Sequence, residues 1–395
     1  MRIAIITSPF GTLPPYGIGA VEKLWYNVAT VFAEAGHDVI FYCKQPDREY
    51  IAESGILFQN LRGYKRTGHL ISDLMLDLFY SFRALMRLTQ CDILVMHTFF
   101  TPLLCPLFRR KFNAAVYNVA RYPKGQLGWY TGIDRLFCVS QAVAKAAIQQ
   151  APRMAGKIKV INNPVDTEIF NCRVRSSVSN TSSNNRSPSM GDDFGVHRNC
   201  YLIGYSGRIH PEKGLDLLVK AYALLRGKGH CLRLRIIGPR TVAQGGGGEK
   251  YVAYLKRLAS CYPIEWVDPV TDAVRLAEEL AACDIFCYPS MAERGETFGV
   301  APLEAMAVGC ATVVSALECF QDFIKDGVTG LVFNHRSIHP DGALADRIEY
   351  LIEHADVREK ITMEATRLAH DSFSNGRIAR EYLNDFELLL QKEKK

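Results

Sequence analysis

Residues 204–222 read GYSGRIHPEKGLDLLVKAY. A short apolar run, 202–205, leads into Gly207 and Arg208, and Lys213 with Gly214 opens the following segment. The pattern predicts a strand, a tight loop and a helix, the unit from which parallel sheets are built. Downstream, further strands are expected at 234–237, 264–267, 284–288, 311–314 and 330–333.

The same alternation fills the first half. Residues 2–7 predict a strand, followed by a loop rich in Pro and Gly as far as Gly19. Residues 20–35 place Val21, Leu24, Trp25, Val28, Val31 and Phe32 at helical spacing, and Gly36 ends that helix before a strand at 38–42. Strands at 93–96, 114–118, 136–139 and 159–161 are expected, separated by helices such as 72–89. Short, nearly continuous apolar strands imply parallel sheets covered on both faces.

Between the halves, 173–199 includes SSVSNTSSNNRSPSM, which has little to bury and reads as a loop or linker. With 395 residues, two domains are expected. The fold class is therefore α/β, with two Rossmann-like domains whose parallel sheets face a central cleft. The expected bounds are 1–172 for an N-terminal domain, 173–199 for the linker and 200–375 for a C-terminal domain. Ligands of such sheets gather at the carboxyl ends of the strands.

Composition narrows the class. The apolar fraction of 48% and charged fraction of 22% are those of a soluble globular chain. MRIAIITSPF reads as a buried strand and not a signal peptide, and 305–317 is too short to span a bilayer. The twelve cysteines lie in apolar segments, where free thiols of a cytoplasmic protein fit better than a disulfide framework. Cys283 and Cys287 lack a second ligand pair nearby, and no metal is expected.

The charge is uneven. Residues 1–165 carry 19 Lys and Arg against 10 Asp and Glu, a balance of +9, whereas the rest carries 28 against 31, or −3. Arg62, Lys65, Arg66, Arg83, Arg87, Arg109, Arg110 and Lys111 either form ordinary solvated faces or attract an anionic partner such as a membrane surface, with peripheral attachment. Nucleic acid is not indicated, since basic and aromatic residues form no binding motif.

Three segments carry chemistry. In PPYGIGAVEKL, Gly17 and Gly19 allow close backbone approach at a helix start, which suits an anion. Arg208 and Lys213, after Gly207 at the edge of the second sheet, suit a pyrophosphate: Arg grips two oxygens, Lys acts as a point charge. As cleft-lining charges they are expected to matter little to the core. In PSMAERGETFGVAPLEAMAVG, Glu296 precedes a helix that carries Glu304, and the backbone at Thr297, Phe298, Gly299 and Val300 faces a phosphate. Two carboxylates so placed reach different hydroxyls of one long ligand.

Taken together, PPYGIG, CVSQAV, NNPVD, GRIHPEKG, ETFGVAPLEAMAVG and DGVTGLVF resemble the retaining glycosyltransferases of the GT-B fold, family 4, over nearly the whole chain. The resemblance implies a nucleoside-diphosphate sugar as donor and no cofactor or metal. It implies that Arg208 and Lys213 hold the pyrophosphate, Glu304 binds the ribose and Glu296 contacts the donor sugar. It also implies that the loop at Gly17 and Gly19 lies against the diphosphate, that the first domain takes a glycan or lipid-linked acceptor, and that the last helix, 376–395, completes that domain. His97 either lines the cleft or is a buried structural residue, and Ala120 or Arg121 stands roughly where many members carry a histidine. A sugar-nucleotide 2-epimerase and a silent sugar-nucleotide-binding subunit are the alternatives.

Overall fold

A computed structural model of the chain describes residues 1–13, 20–44, 55–174 and 200–392. Gly17, Gly19 and nearly all of the Ser/Asn-rich segment lie outside the described residues. The chain divides into two compact units, residues 1–164 with 373–395, and residues 165–372.

In the first unit seven parallel strands lie in the order β3-β2-β1-β4-β5-β6-β7. They are β1 (Arg2–Ile6), β2 (Asp38–Cys43), β3 (Leu57–Asn60), β4 (Cys91–Met96), β5 (Phe112–Val119), β6 (Arg135–Cys138) and β7 (Ile158–Val160). Ile3, Ile5, Ile93, Val95, Ala114 and Val116 are fully buried, which explains why these strands read as apolar runs. Two helices matter below: α1 (Ala20–Glu34) and α2 (Leu70–Arg87). The apolar residues Trp25, Val28 and Phe32 of α1 are buried, as helical spacing requires.

The final helix, Asn375–Lys392, belongs to this first unit. Tyr382 packs on Trp25 and Phe137 at ring separations of 4.9 and 5.0 Å, and Phe386 on Phe32 at 5.9 Å. Within this apolar contact Asp385, almost fully buried, accepts from Arg135 Nε at 2.7 Å and Lys159 Nζ at 3.1 Å. Two cations compensate the desolvated carboxylate.

The second unit has six parallel strands in the order β10-β9-β8-β11-β12-β13. They are β8 (Tyr201–Ser206), β9 (Leu232–Ile237), β10 (Ile264–Val267), β11 (Ile285–Tyr288), β12 (Ala311–Ser315) and β13 (Leu331–Phe333). Both sheets are doubly wound. The strand order reverses between β1 and β4 in one unit and between β8 and β11 in the other, and such a switch point opens a crevice at the strand ends.

One expectation needs correction. Cys200 and Cys231 form a disulfide, while Cys43, Cys91, Cys138, Cys287 and Cys310 are buried free thiols. The parallel register pairs Tyr201 with Leu232, so the residues just before them face each other although 31 positions separate them in sequence. Only the strand pairing reveals that proximity.

Candidate active site

Two loops leave the carboxyl ends of β8 and β11, the strands that flank the switch point of the second unit. The first runs through Gly207, Arg208 and Lys213 into the helix Leu215–Gly227. The second runs from Pro289 through Glu296 into the helix Val300–Ala307. They pack backbone to backbone. Met291 donates its amide to the Glu212 carbonyl at 2.9 Å, and Gly214 lies so close that a Cβ there would stand 2.1 Å from the Pro289 carbonyl oxygen. Gly214 also has φ +65°, so both geometry and space demand glycine.

This contact delivers Lys213 to Glu296. The Lys213 ammonium donates to Glu296 Oε2 at 2.7 Å, and both side chains are about nine-tenths buried. The ammonium also lies 5.4 Å from the centre of the Tyr288 ring, within cation–π range. Tyr288 stacks on Tyr205 at 5.6 Å, forming an aromatic floor at the ends of the two strands. Burial and the adjacent Glu296 carboxylate push the Tyr288 phenol well above its ordinary range, so it stays a neutral donor. An ammonium carries three donor protons, and Glu296 takes one.

Arg208 is set differently. Its guanidinium pairs with Glu212 and donates to the Gly245 carbonyl at 3.1 Å, and it is partly exposed. Glu304 is half-buried on Val300–Ala307, within two turns of the helix start. Gly299, before that helix, has φ +97°, and a Cβ would come 2.5 Å from the Phe320 ring. Phe298 sends its side chain into the core against Phe323 at 5.0 Å, so any donor contact there comes from its backbone. Thr297 is half-buried in the same turn.

Sequence reasoning missed the residues that hold these loops. Glu293 accepts from both Nε and Nη2 of Arg336 at 2.7 Å, and pairs with His335 Nε2 at 3.0 Å. That clamp ties the Glu296 loop to the segment after β13. No local pattern around Glu293 or Arg336 announces the pair, since 43 positions separate them.

In the first unit His97 follows β4 at the switch point and donates its amide to Ile6 at 3.0 Å. Its ring lies edge-on to Trp25 at 4.7 Å, and both ring nitrogens are buried without a hydrogen bond among the described residues. Burial alone pushes its pKa down to about 3, so the imidazole is neutral. Arg121, beyond β5, is exposed. His230, Glu349 and Glu353 bring candidate metal-ligating atoms within 4.8 Å of one another, but Lys228 already pairs with Glu349 at 2.6 Å.

The chain resembles known proteins across both units. Residues 19–169 match the family described as Glycosyltransferase Family 4, and residues 193–368 match Glycosyl transferases group 1. Fold and strand-end loops give the chain the GT-B architecture, with a glycosyltransferase family match in each unit. A glycosyltransferase from Rickettsia africae shares the fold with a TM-score of 0.75 and 17% identity, covering 98% of each chain. The Anabaena protein HepE in complex with UDP and glucose shares it at 0.71 and 18%, covering 98% of this chain and 99% of that one. Neither family match alone spans half of the chain, and together they run through most of it. The D-inositol 3-phosphate glycosyltransferase of Kribbella flavida is 28% identical over 215 residues, covering 50% of this chain and 44% of the relative. The chain spans about half the length of the curated relatives it matches.

Proposed function

We propose that the chain transfers a hexose-type sugar from a nucleoside-diphosphate sugar to a glycan or lipid-linked saccharide, with retention at the anomeric carbon. The observation that carries this reading is the buried Lys213–Glu296 pair, held where β8 and β11 end. The remaining Lys213 protons and the Arg208 guanidinium hold the two phosphates. Glu296 meets the sugar, Glu304 the ribose hydroxyls, and the backbone from Thr297 to Val300 the diphosphate. The leaving group gains negative charge as the glycosidic bond breaks. Cations fixed in advance at that position stabilise the transition state more than the ground state.

In this reading no metal or other cofactor takes part, because Arg208 and Lys213 supply the positive charge. HepE, solved with UDP and with UDP-glucose, supports a uridine donor. The first unit takes the acceptor side.

The test incubates the protein with uridine, guanosine and adenosine diphosphate sugars, with and without saccharide acceptors, in the presence of a chelator. Nucleoside diphosphate release that requires acceptor and ignores the chelator is expected. Conversion of the donor sugar without acceptor would instead indicate an epimerase. Donor binding with no turnover on any acceptor would indicate a silent binding subunit.

A further inference from the structure

The helix α2 has two apolar faces. One is the ordinary inner face, where Tyr80, Ala84 and Leu85 are buried. The other faces outward: Ile71, Met75, Phe79, Phe82 and Met86 are between 48% and 79% exposed. Their spacing of four, four, three and four residues gathers them, at 100° per residue, into an arc of about 80°. The turn Cys105–Lys111 extends the patch with Leu107, which is 76% exposed, and Phe108 joins Phe82 at a ring separation of 6.2 Å. Single exposed apolar residues are normal, but a continuous stripe with two phenylalanines marks an interaction face.

Basic residues border the stripe. Arg83 and Arg87 lie on the adjoining side of the helix and reach the carbonyls of Arg62 and Asn60 at 3.3 and 3.2 Å, which brings the Arg62 segment alongside. Lys111 donates to the last-turn carbonyls of Leu85 and Met86 at 3.0 and 2.8 Å, and Arg110 beside it is exposed. The two acidic residues of the helix are already engaged. Asp77 is buried and accepts the amide of Phe100 at 3.0 Å; Asp73 accepts from Thr67 at 2.8 Å and faces Arg66.

We propose that α2 and the turn Cys105–Lys111 form a docking face for an anionic lipid bilayer. The helix lies in the interface plane with Phe79 and Phe82 among the acyl chains, and Arg83, Arg87, Arg110 and Lys111 meet lipid phosphates. A second copy of the chain suits the face poorly, since two such stripes would bring like charges together. None of the helices in the described residues is long and apolar enough to cross a membrane, so attachment through this face is peripheral. The inference concerns the first unit alone and stands apart from the donor reading.

The full chain is sedimented with vesicles of phosphatidylcholine alone, or mixed with phosphatidylglycerol, at low and high salt. Binding that needs the acidic lipid and weakens with salt is expected. The double change Phe79→Ser, Phe82→Ser should lower the partition coefficient by about tenfold or more, from the apolar contact removed. Arg83→Glu with Arg87→Glu should do likewise through charge. Phe79 and Phe82 lie on the outer face and Arg83 and Arg87 on the adjoining side, and far-UV circular dichroism with thermal melts checks that the variants fold. Three results overturn the proposal: no binding at low salt, equal binding to neutral vesicles, or binding unchanged in folded variants. So does a dimer that the Phe79→Ser, Phe82→Ser protein no longer forms, because the stripe then belongs to a second copy.

Discussion

The Lys213 ammonium stands 2.7 Å from a carboxylate oxygen of Glu296, 83 positions further along the chain, and both side chains are nearly shut off from water. Such a pair is costly to break on one side, because the partner remains as a buried uncompensated charge.

Lys213→Ala should therefore be destabilised by about 3–5 kcal/mol as well as slowed in turnover by roughly 10² or more. This departs from the sequence-based expectation that cleft-lining charges matter little to the core, which took no account of burial. Lys213→Met combined with Glu296→Gln should recover most of the stability and none of the activity. Urea unfolding and initial rates on the same preparations check both halves; a double variant as unstable as Lys213→Ala would remove the ion-pair explanation.

Arg208 should behave otherwise. Its partner Glu212 and its own side chain are each more than a third exposed, so the pair contributes little to folding. Arg208→Ala should keep its unfolding free energy within about 0.5 kcal/mol while losing roughly 10² in turnover. Near-normal rates would withdraw the pyrophosphate role.

Glu296 and Glu304 should fail differently. Glu304→Ala removes a contact made equally in ground and transition states, so donor KM rises most. Glu296→Gln, which keeps a hydrogen-bond acceptor for Lys213, should chiefly lower kcat. Steady-state kinetics with varied donor separate the two, and the opposite pattern would exchange their assignments.

His97 gives the first unit a pH signature. Its folded pKa, pushed down to about 3, lies below the ordinary imidazole value near 6.5. In that window the unfolded chain binds the proton and the folded chain does not, so stability is intact above pH 6.5 and falls as pH drops. From pH 6.5 to 5 the loss should be about 2 kcal/mol. His97→Phe removes this contribution, so its unfolding free energy should fall less than the wild type's over the same interval. Parallel slopes in the two proteins would mean the ring is solvated.

The fold was legible because strands buried on both faces leave an unbroken apolar trace, as at Ile3–Ile6 or Phe286–Tyr288. Strand β3 left none: it sits at the sheet edge with Leu57, Gln59 and Asn60 exposed. At the site, GR and EKG in one loop and the two glutamates around the next helix were readable as separate pieces. The Lys213–Glu296 bond, the Glu293–Arg336 clamp and the Cys200–Cys231 disulfide were not. Each joins positions that only strand order brings together, and composition carries no record of strand order. The outer stripe of α2 also escaped notice, because apolar residues on two faces of one helix read simply as a hydrophobic helix.

Finally, the helix Asn375–Lys392 has a consequence for how the protein comes into being. Trp25, Phe32 and Phe137 emerge from the ribosome long before the Tyr382 and Phe386 that cover them. The intervening 165–372 unit can close on itself meanwhile. At about 5–20 residues per second, the wait lasts roughly 10–70 s. The first half of the chain to be made is thus the last to be finished, and a nascent chain stalled near Ser372 exposes an unfilled aromatic groove to chaperones and proteases.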